Sequence, residues 1–136
     1  MSELFLEIIT PEKSVFKEQI DAVTVPGTLG SFQILKDHAP LISSFDIGII
    51  KIKKNSNDSY YTTSGGTVEV NTNKVLVLAD SLEKVREIDV IRAEKAKQRA
   101  EDRLSKKNEP AIDETRAKAA LNRALNRLKA VEKYNS

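Results

Sequence analysis

Arginine is the residue whose spacing in this chain could do chemistry. Arg92, Arg99 and Arg103 follow at intervals of seven and four, and Arg116, Arg123 and Arg127 repeat those intervals. On a helix, such spacing places each trio along one stripe. If the two stretches form an antiparallel pair turning near Asn108, Arg92 comes close to Arg123 and Arg127 at the open end, beside Asp89. Clustered guanidinium groups match phosphate oxygens in geometry and repel one another when no anion is present. Two readings follow: a polyphosphate site, or a solvated face whose arginines pair with Glu94, Glu101 and Asp102. The spacing leaves both open, and the repeat could equally be a packing constraint.

Other residue types offer less. His38 is the single histidine and there is no cysteine, so imidazole cages, thiolate metal sites and thiol nucleophiles are all poor fits. Ser43-Ser44 and Ser64-Gly65-Gly66 lack a base partner and do not form a nucleophile elbow. Gly65-Gly66 reads as a tight bend or bulge with close backbone approach. Pro26-Gly27-Thr28-Leu29-Gly30 lacks the lysine-hydroxyl ending of a phosphate loop and leads into a strand. Glu83 and Glu87 could do acid–base work, but they sit in what reads as a surface linker. No catalytic residue and no metal ligand set is expected.

The elements that must position the arginines are helices, and the rest of the chain reads differently. Up to Lys84 there are eight lysines, no arginine and eleven acids, a net charge of −3; beyond it, fourteen basic residues and nine acids give +5. All five glycines and six of the seven aromatics fall in the first part, and nine of twelve alanines in the second. The first composition favours strands and turns, the second helix. The expected division is a β-domain over 1–84 and a helical element over 85–136, joined near Ser81–Ile88.

In the β part, short apolar runs alternate with turn signals: Leu4–Ile9, Ile20–Val25, Ser31–Leu35, Leu41–Phe45, Ile47–Lys53, Tyr60–Thr63, Thr67–Val70 and Val75–Leu78. No helical segment separates them, so an antiparallel sandwich or barrel is expected and a parallel sheet is not. In the helical part, Ile88–Leu104 and Ile112–Leu128 share nine of seventeen positions at an offset of 24. Each copy opens on an aspartate suited to cap a helix, Asp89 or Asp113, and Pro110 breaks the chain between them. The pattern predicts an antiparallel two-helix hairpin with a seam of Ala93, Ala96, Ala100 and Leu104 against Ala117, Ala120, Ala124 and Leu128. Small side chains bury little area, so the hairpin is expected to need a host surface.

With 136 residues, 31% charged and a net charge of +2, the chain is neither collagen-like, disulfide-rich nor disordered. No apolar stretch reaches the ~18–20 residues that span a bilayer, and the first residues lack a signal-peptide layout. Contact with a membrane is expected through a partner only.

Thr10-Pro11-Glu12-Lys13, the run VTVPGTLGSFQIL over Val23–Leu35, Asp37-His38-Ala39-Pro40-Leu41, Ser64-Gly65-Gly66 with Val68-Glu69-Val70, Val75–Asp80 and Ile88-Asp89-x-x-Arg92-Ala93 occur in one order. In that order they resemble the epsilon subunit of bacterial F-type ATP synthases, over essentially the whole chain. The resemblance implies a β + α fold: an N-terminal antiparallel β-sandwich of about ten short strands, then a C-terminal two-helix antiparallel hairpin. It implies a non-catalytic central-stalk rotor subunit. The sandwich would bind the gamma subunit and the c-ring, coupling proton-driven rotation to ATP synthesis. The hairpin would switch between a compact form and an extended form that reaches the alpha and beta subunits and inhibits ATP hydrolysis. No cofactor is required, and ATP is the implied regulatory ligand.

Carried onto this sequence, the implied ATP-binding residues are Glu83, Ile88, Asp89, Arg92, Ala93, Arg99, Arg123 and Arg127. The implied partner contacts are Gly27, Thr28, Leu29, Gly30, Ser31 and Phe32, with Asp37, His38, Ala39, Pro40 and Leu41. Ser31 departs from the acidic residue that some members place there. The implied location is the cytoplasmic side of a bacterial cell membrane, peripheral and reached through the complex. Two other classes compete. A nucleic-acid module would use the basic arm to track phosphates, but that arm carries only Tyr134 for stacking. A free-standing enzyme would need a base–nucleophile pair.

Overall fold

The computed structural model describes residues 3–106 and 108–134. Ten strands come first: β1 (Leu4–Ile9), β2 (Ser14–Ile20), β3 (Ala22–Val25), β4 (Phe32–Leu35), β5 (Leu41–Phe45), β6 (Gly48–Lys54), β7 (Asn57–Thr63), β8 (Gly66–Asn71), β9 (Lys74–Ala79) and β10 (Leu82–Lys84). They form two five-stranded sheets, ordered β2-β1-β9-β8-β5 and β10-β7-β6-β3-β4. A 3-10 turn at Val85–Glu87 precedes two helices, α1 (Val90–Ser105) and α2 (Glu114–Tyr134). The chain divides into two compact units, Met1–Lys84 and Val85–Ser136.

Alternation builds the sandwich core. Leu4, Leu6 and Ile8 of β1, Val68 and Val70 of β8, and Val75 and Val77 of β9 turn inward and are buried. From the other sheet come Val23, Val25, Ile34, Ile50, Ile52 and Tyr61, all in the same apolar cluster. Two sheets closing on one such cluster make the expected β-sandwich.

Three features depart from the sequence reading. β1 pairs parallel to β9, from Phe5 opposite Lys74 to Ile9 opposite Leu78, although every other pairing is antiparallel. Parallel neighbours require a long crossover, and here the intervening strands β2–β8 supply it without a helix. The Ile20–Val25 run is cut at Asp21, because β2 and β3 belong to different sheets. β2 escaped notice because it is a charged edge strand, SVFKEQI, whose Glu18 pairs with Lys54. Such charge protects an edge from pairing with other chains.

The polar stretch after Lys53 is a tight hairpin. Lys54 pairs with Asn57, leaving Asn55-Ser56 as a two-residue turn with φ of 52° and 66°. Thr72-Asn73 makes the same turn between β8 and β9, at 49° and 60°. Positive φ at both central positions matches the right-handed twist of the flanking strands. Asn73 does more: its side-chain oxygen accepts from the Asp37 backbone N–H at 2.6 Å, and its amide nitrogen donates to the Asp37 carboxylate at 3.2 Å. This reciprocal pair ties the turn after β4 to the opposite sheet and so sets where the Asp37–Leu41 loop begins.

In the helical unit, both aspartates act as caps, so the helices start two residues inside the repeat. α2 also runs on to Tyr134, because Lys129–Lys133 contains no breaker and Ala130 is fully buried. α2 packs along α1 and against the 3-10 turn, where Val85 is buried. The seam is narrower than expected: Ala93 and Ala100, with Ala117 and Ala124, are buried, while Ala96, Ala120, Leu104 and Leu128 are half-buried.

Candidate functional site

Two constellations emerge, one in each unit. On the sandwich, the loop after β3 and the loop before β5 converge. Gly27, Thr28, Leu29, Gly30, Phe32, His38 and Leu41 line one groove of about 470 Å³, closed by Ser43 and Ser44 of β5. Seven of the eleven expected partner-contact residues therefore share one surface; Ser31, Asp37, Ala39 and Pro40 do not line it.

The Pro26–Ser31 loop is held over β5 by a set of specific bonds. Gly27 bridges Phe45, and the Asp46 backbone N–H donates to the Pro26 carbonyl at 2.9 Å. The Thr28 hydroxyl lies 3.0 Å from the Ser44 carbonyl oxygen and 2.6 Å from its hydroxyl. At Gly27 a Cβ would stand 2.6 Å from the Gly30 carbonyl oxygen and 2.8 Å from the Phe32 ring, so the loop's tight path demands glycine there. The result is a rigid mount for Leu29, whose side chain projects fully into solvent, with Ile42 on neighbouring β5 78% exposed. Leu29 so stands beside a groove with no acid or lysine in its lining, whereas Ile42 sits opposite Glu69 and does not line it. Sequence reasoning missed Ser43, Ser44 and Ile42: the serines were weighed only as nucleophiles, and an edge strand's alternation does not announce which face a partner meets.

On the hairpin, the structure explains part of the repeated motif without any ligand. The Asp89 carboxylate accepts from the Arg92 backbone N–H at 3.1 Å, and Asp113 accepts from that of Arg116 at the same distance. An aspartate followed three residues later by an amide in the first turn is an N-cap. Ala93 is buried, so its contribution is close helix approach rather than ligand contact. Ile88 is half-buried, and its N–H donates to the Val85 carbonyl at 3.2 Å. Glu83 lies on β10, opposite Thr62, within the sandwich unit. Replacing Asp89 or Asp113 by Ala should each destabilise the hairpin by ~1 kcal/mol, while Asp89→Asn keeps the acceptor and the helix. Helical circular dichroism followed through thermal melting checks both.

The arginines themselves occupy one face. Buried Ala93 and Ala100 lie a heptad apart, as do Ala117 and Ala124, so antiparallel packing sets Ala93 opposite Ala124 and Ala100 opposite Ala117. With about 100° per residue, Arg92, Arg99 and Arg103 fall on one flank of the α1 seam, and Arg116, Arg123 and Arg127 on the matching flank of α2. An antiparallel pair is related by a two-fold axis through the hairpin, so both flanks form a single broad face. Leu104, Leu121 and Leu128 lie on the other. The expected pairing with Glu94, Glu101 and Asp102 is not made: among the described residues no ion pair or hydrogen bond engages the guanidinium of Arg92, Arg99, Arg103, Arg116 or Arg123.

The family model for the beta-sandwich domain of the ATP synthase delta/epsilon chain matches residues 3–85, and that for its long alpha-helix domain matches 86–132. The chain belongs to the ATP synthase delta/epsilon chain family. The resemblance read from its motifs is thereby borne out. It is 46% identical to the ATP synthase epsilon chain of Desulforamulus reducens over 127 residues, covering 93% of this chain and 96% of that one. Identity to the epsilon chain of Nitratidesulfovibrio vulgaris strain DP4 is 48% over 126 residues, 93% of each. A chain of the Euglena gracilis mitochondrial ATP synthase superposes with a TM-score of 0.84 at 21% identity, covering 96% of this chain and 82% of that one; this similarity is one of fold.

Proposed function

We propose that this epsilon-family chain is the central-stalk rotor subunit of a bacterial F-type ATP synthase, peripheral to the cytoplasmic face of the membrane and itself non-catalytic. The sandwich meets the gamma subunit and the c-ring through the Gly27–Phe32 and Asp37–Leu41 loops, and so helps pass proton-driven rotation to ATP synthesis. The observation that carries this reading is the convergence of those two loops on one groove, beside an exposed Leu29, in a chain of this family. Among the described residues no helix is long and apolar enough to cross a membrane, which fits attachment through partners.

The hairpin is the regulatory part of the proposal. Its all-alanine buried seam holds it weakly, so a few kcal/mol decide between a compact state and an extended one that reaches the alpha and beta subunits and inhibits hydrolysis. ATP at the open end, with its phosphates against Arg92, Arg123 and Arg127 and with Arg99 further along the same face, favours the compact state. Asp89, Ile88 and Ala93 set the helix start. A ligand shifts such an equilibrium only by its differential affinity for the two states; at a hundredfold excess over its dissociation constant it supplies ~2.7 kcal/mol.

The test is calorimetric titration of the full chain with ATP, wild type against Arg92→Ala and Arg127→Ala. A hydrogen bond between charged groups contributes ~1.5–3 kcal/mol, so each variant should bind roughly tenfold to a hundredfold more weakly. Equal affinity in all three removes ATP sensing and leaves the rotor assignment standing.

A further inference from the structure

The repeat has a consequence at the hairpin's other end. Opposite Ala93 stands Ala124, so Arg92 lies level with Leu125, between Arg123 and Arg127. Ala100 stands opposite Ala117, so Arg116 lies level with Glu101, between Arg99 and Arg103. Each flanking arginine is two residues away along the axis, ~3 Å. Both ends therefore present the same triangle: one guanidinium from the start of one helix, flanked by two from the other. The 24-residue offset carries Arg92 onto Arg116, Arg99 onto Arg123 and Arg103 onto Arg127, which exchanges the two triangles.

We infer that the hairpin binds a second phosphate chain at its closed end, through Arg99 and Arg103 of α1 and Arg116 of α2. Three observations converge on it. All three side chains are exposed and without an ion-pair or hydrogen-bond partner among the described residues. Three of the acids nearby are engaged or turned away: Asp113 caps α2, Glu114 pairs with Lys118 at 3.2 Å, and Glu101 lies on the opposite flank of α1; Asp102 and Glu109 are exposed and make no ion pair with these arginines among the described residues. Lys106, at the end of α1, adds another cation to the same end. Guanidinium forks bind phosphate oxygens in pairs, and a di- or triphosphate offers enough oxygens to bridge both helices. The groups that define the site are guanidiniums alone, so it reads a phosphate chain rather than a base. This inference rests on the phosphate reading of the arginine face but concerns its other half.

The experiment titrates the full chain separately with sodium tripolyphosphate and with ATP, at low ionic strength. Wild type is expected to bind two tripolyphosphates. R103Q/R116Q is expected to retain one and to keep its ATP affinity at the open end, and R92Q/R127Q to retain one that does not distinguish ATP from tripolyphosphate. Arg116→Lys, which keeps the charge and loses the fork, should weaken the closed-end site several-fold, and circular dichroism verifies that each variant is helical. One tripolyphosphate per wild-type chain, unaffected by R103Q/R116Q, overturns the second site and spares the first. Equal weakening by the control K95Q/K129Q also overturns it, since charge alone would then account for binding. Retention in R92Q/R127Q, with no ATP preference in wild type, supports the closed-end site while removing the nucleotide reading of the open end.

Discussion

Gly66→Ala is expected to destabilise the sandwich by about 3 kcal/mol, the scale at which a buried overpacking forces the backbone to move. A Cβ built at Gly66 would lie 2.0 Å from the Leu78 carbonyl oxygen, 2.9 Å from the Phe45 ring and 3.0 Å from the Ala79 Cα. Two of those neighbours are backbone atoms, so no rotamer change relieves the clash. Gly66 sits opposite Ala79 in the β8–β9 ladder and opposite Phe45 in the β5–β8 ladder, at the point where two pairings of one sheet meet. Phe45 and Ala79 both belong to the buried cluster, so displacement there reaches the core. Urea denaturation followed by the signal of buried Tyr61 should show a lower midpoint with an unchanged slope. For a domain this size the melting temperature should fall by ~10–20 °C. A variant within ~0.5 kcal/mol of wild type would mean that the bend can open without the sheet giving way.

The second large effect falls on assembly and leaves stability almost untouched. Leu29 is wholly exposed and Ile42 is 78% exposed, so placing aspartate at either position removes no internal contact and should change the free energy of unfolding by no more than ~0.5 kcal/mol. Against an uncharged partner surface the same change buries an unpaired carboxylate. Anchors at the centre of an interface contribute ~2 kcal/mol or more, so affinity for the isolated gamma–c-ring assembly should drop at least ~30-fold in each variant. Surface plasmon resonance with wild type, Leu29→Asp, Ile42→Asp and an exposed-lysine control, Lys17→Asp on β2, reads this out. If all four bind alike, neither the groove beside Leu29 nor the exposed face of β5 is the docking surface.

These expectations differ in how far the sequence alone carried them. Strands with a clean inward alternation, such as Leu4-Leu6-Ile8 or Val75-Val77, were legible because burial on one face imposes a period of two. β2 was not, because an edge strand needs charge more than pattern, and Asp21 hides a change of sheet inside an apolar run. The parallel β1–β9 pairing could not be read, since strand order is decided by which ladders close the core and not by local composition. Helix starts were legible down to the capping residue. The end of α2 was not, since the repeat stops at Leu128 while the burial of Ala130 carries the helix further.

The candidate sites show the same division. The motif loops around Gly27 and His38 were identifiable one by one, but their convergence depends on Thr28 reaching Ser44 and on Asp37 holding Asn73, both long-range contacts. The arginine repeat was visible at once, whereas its meaning turned on partners. Glu101 is two residues from Arg103 and points from another flank, and Glu94 is five residues before Arg99, so neither meets the spacing at which helical ion pairs form. Asp102, three residues beyond Arg99, has that spacing and still does not pair with it.

The most direct test of the rotor assignment is co-purification. A tagged copy of the full chain, expressed in cells lacking their own epsilon chain, is recovered from membranes solubilised in mild detergent, and its companions are quantified by mass spectrometry. The account predicts stoichiometric recovery with gamma and the c-ring, and restored proton-driven ATP synthesis in the membranes before extraction. Recovery of the chain alone, beside an ATP synthase that assembles and couples without it, would contradict it.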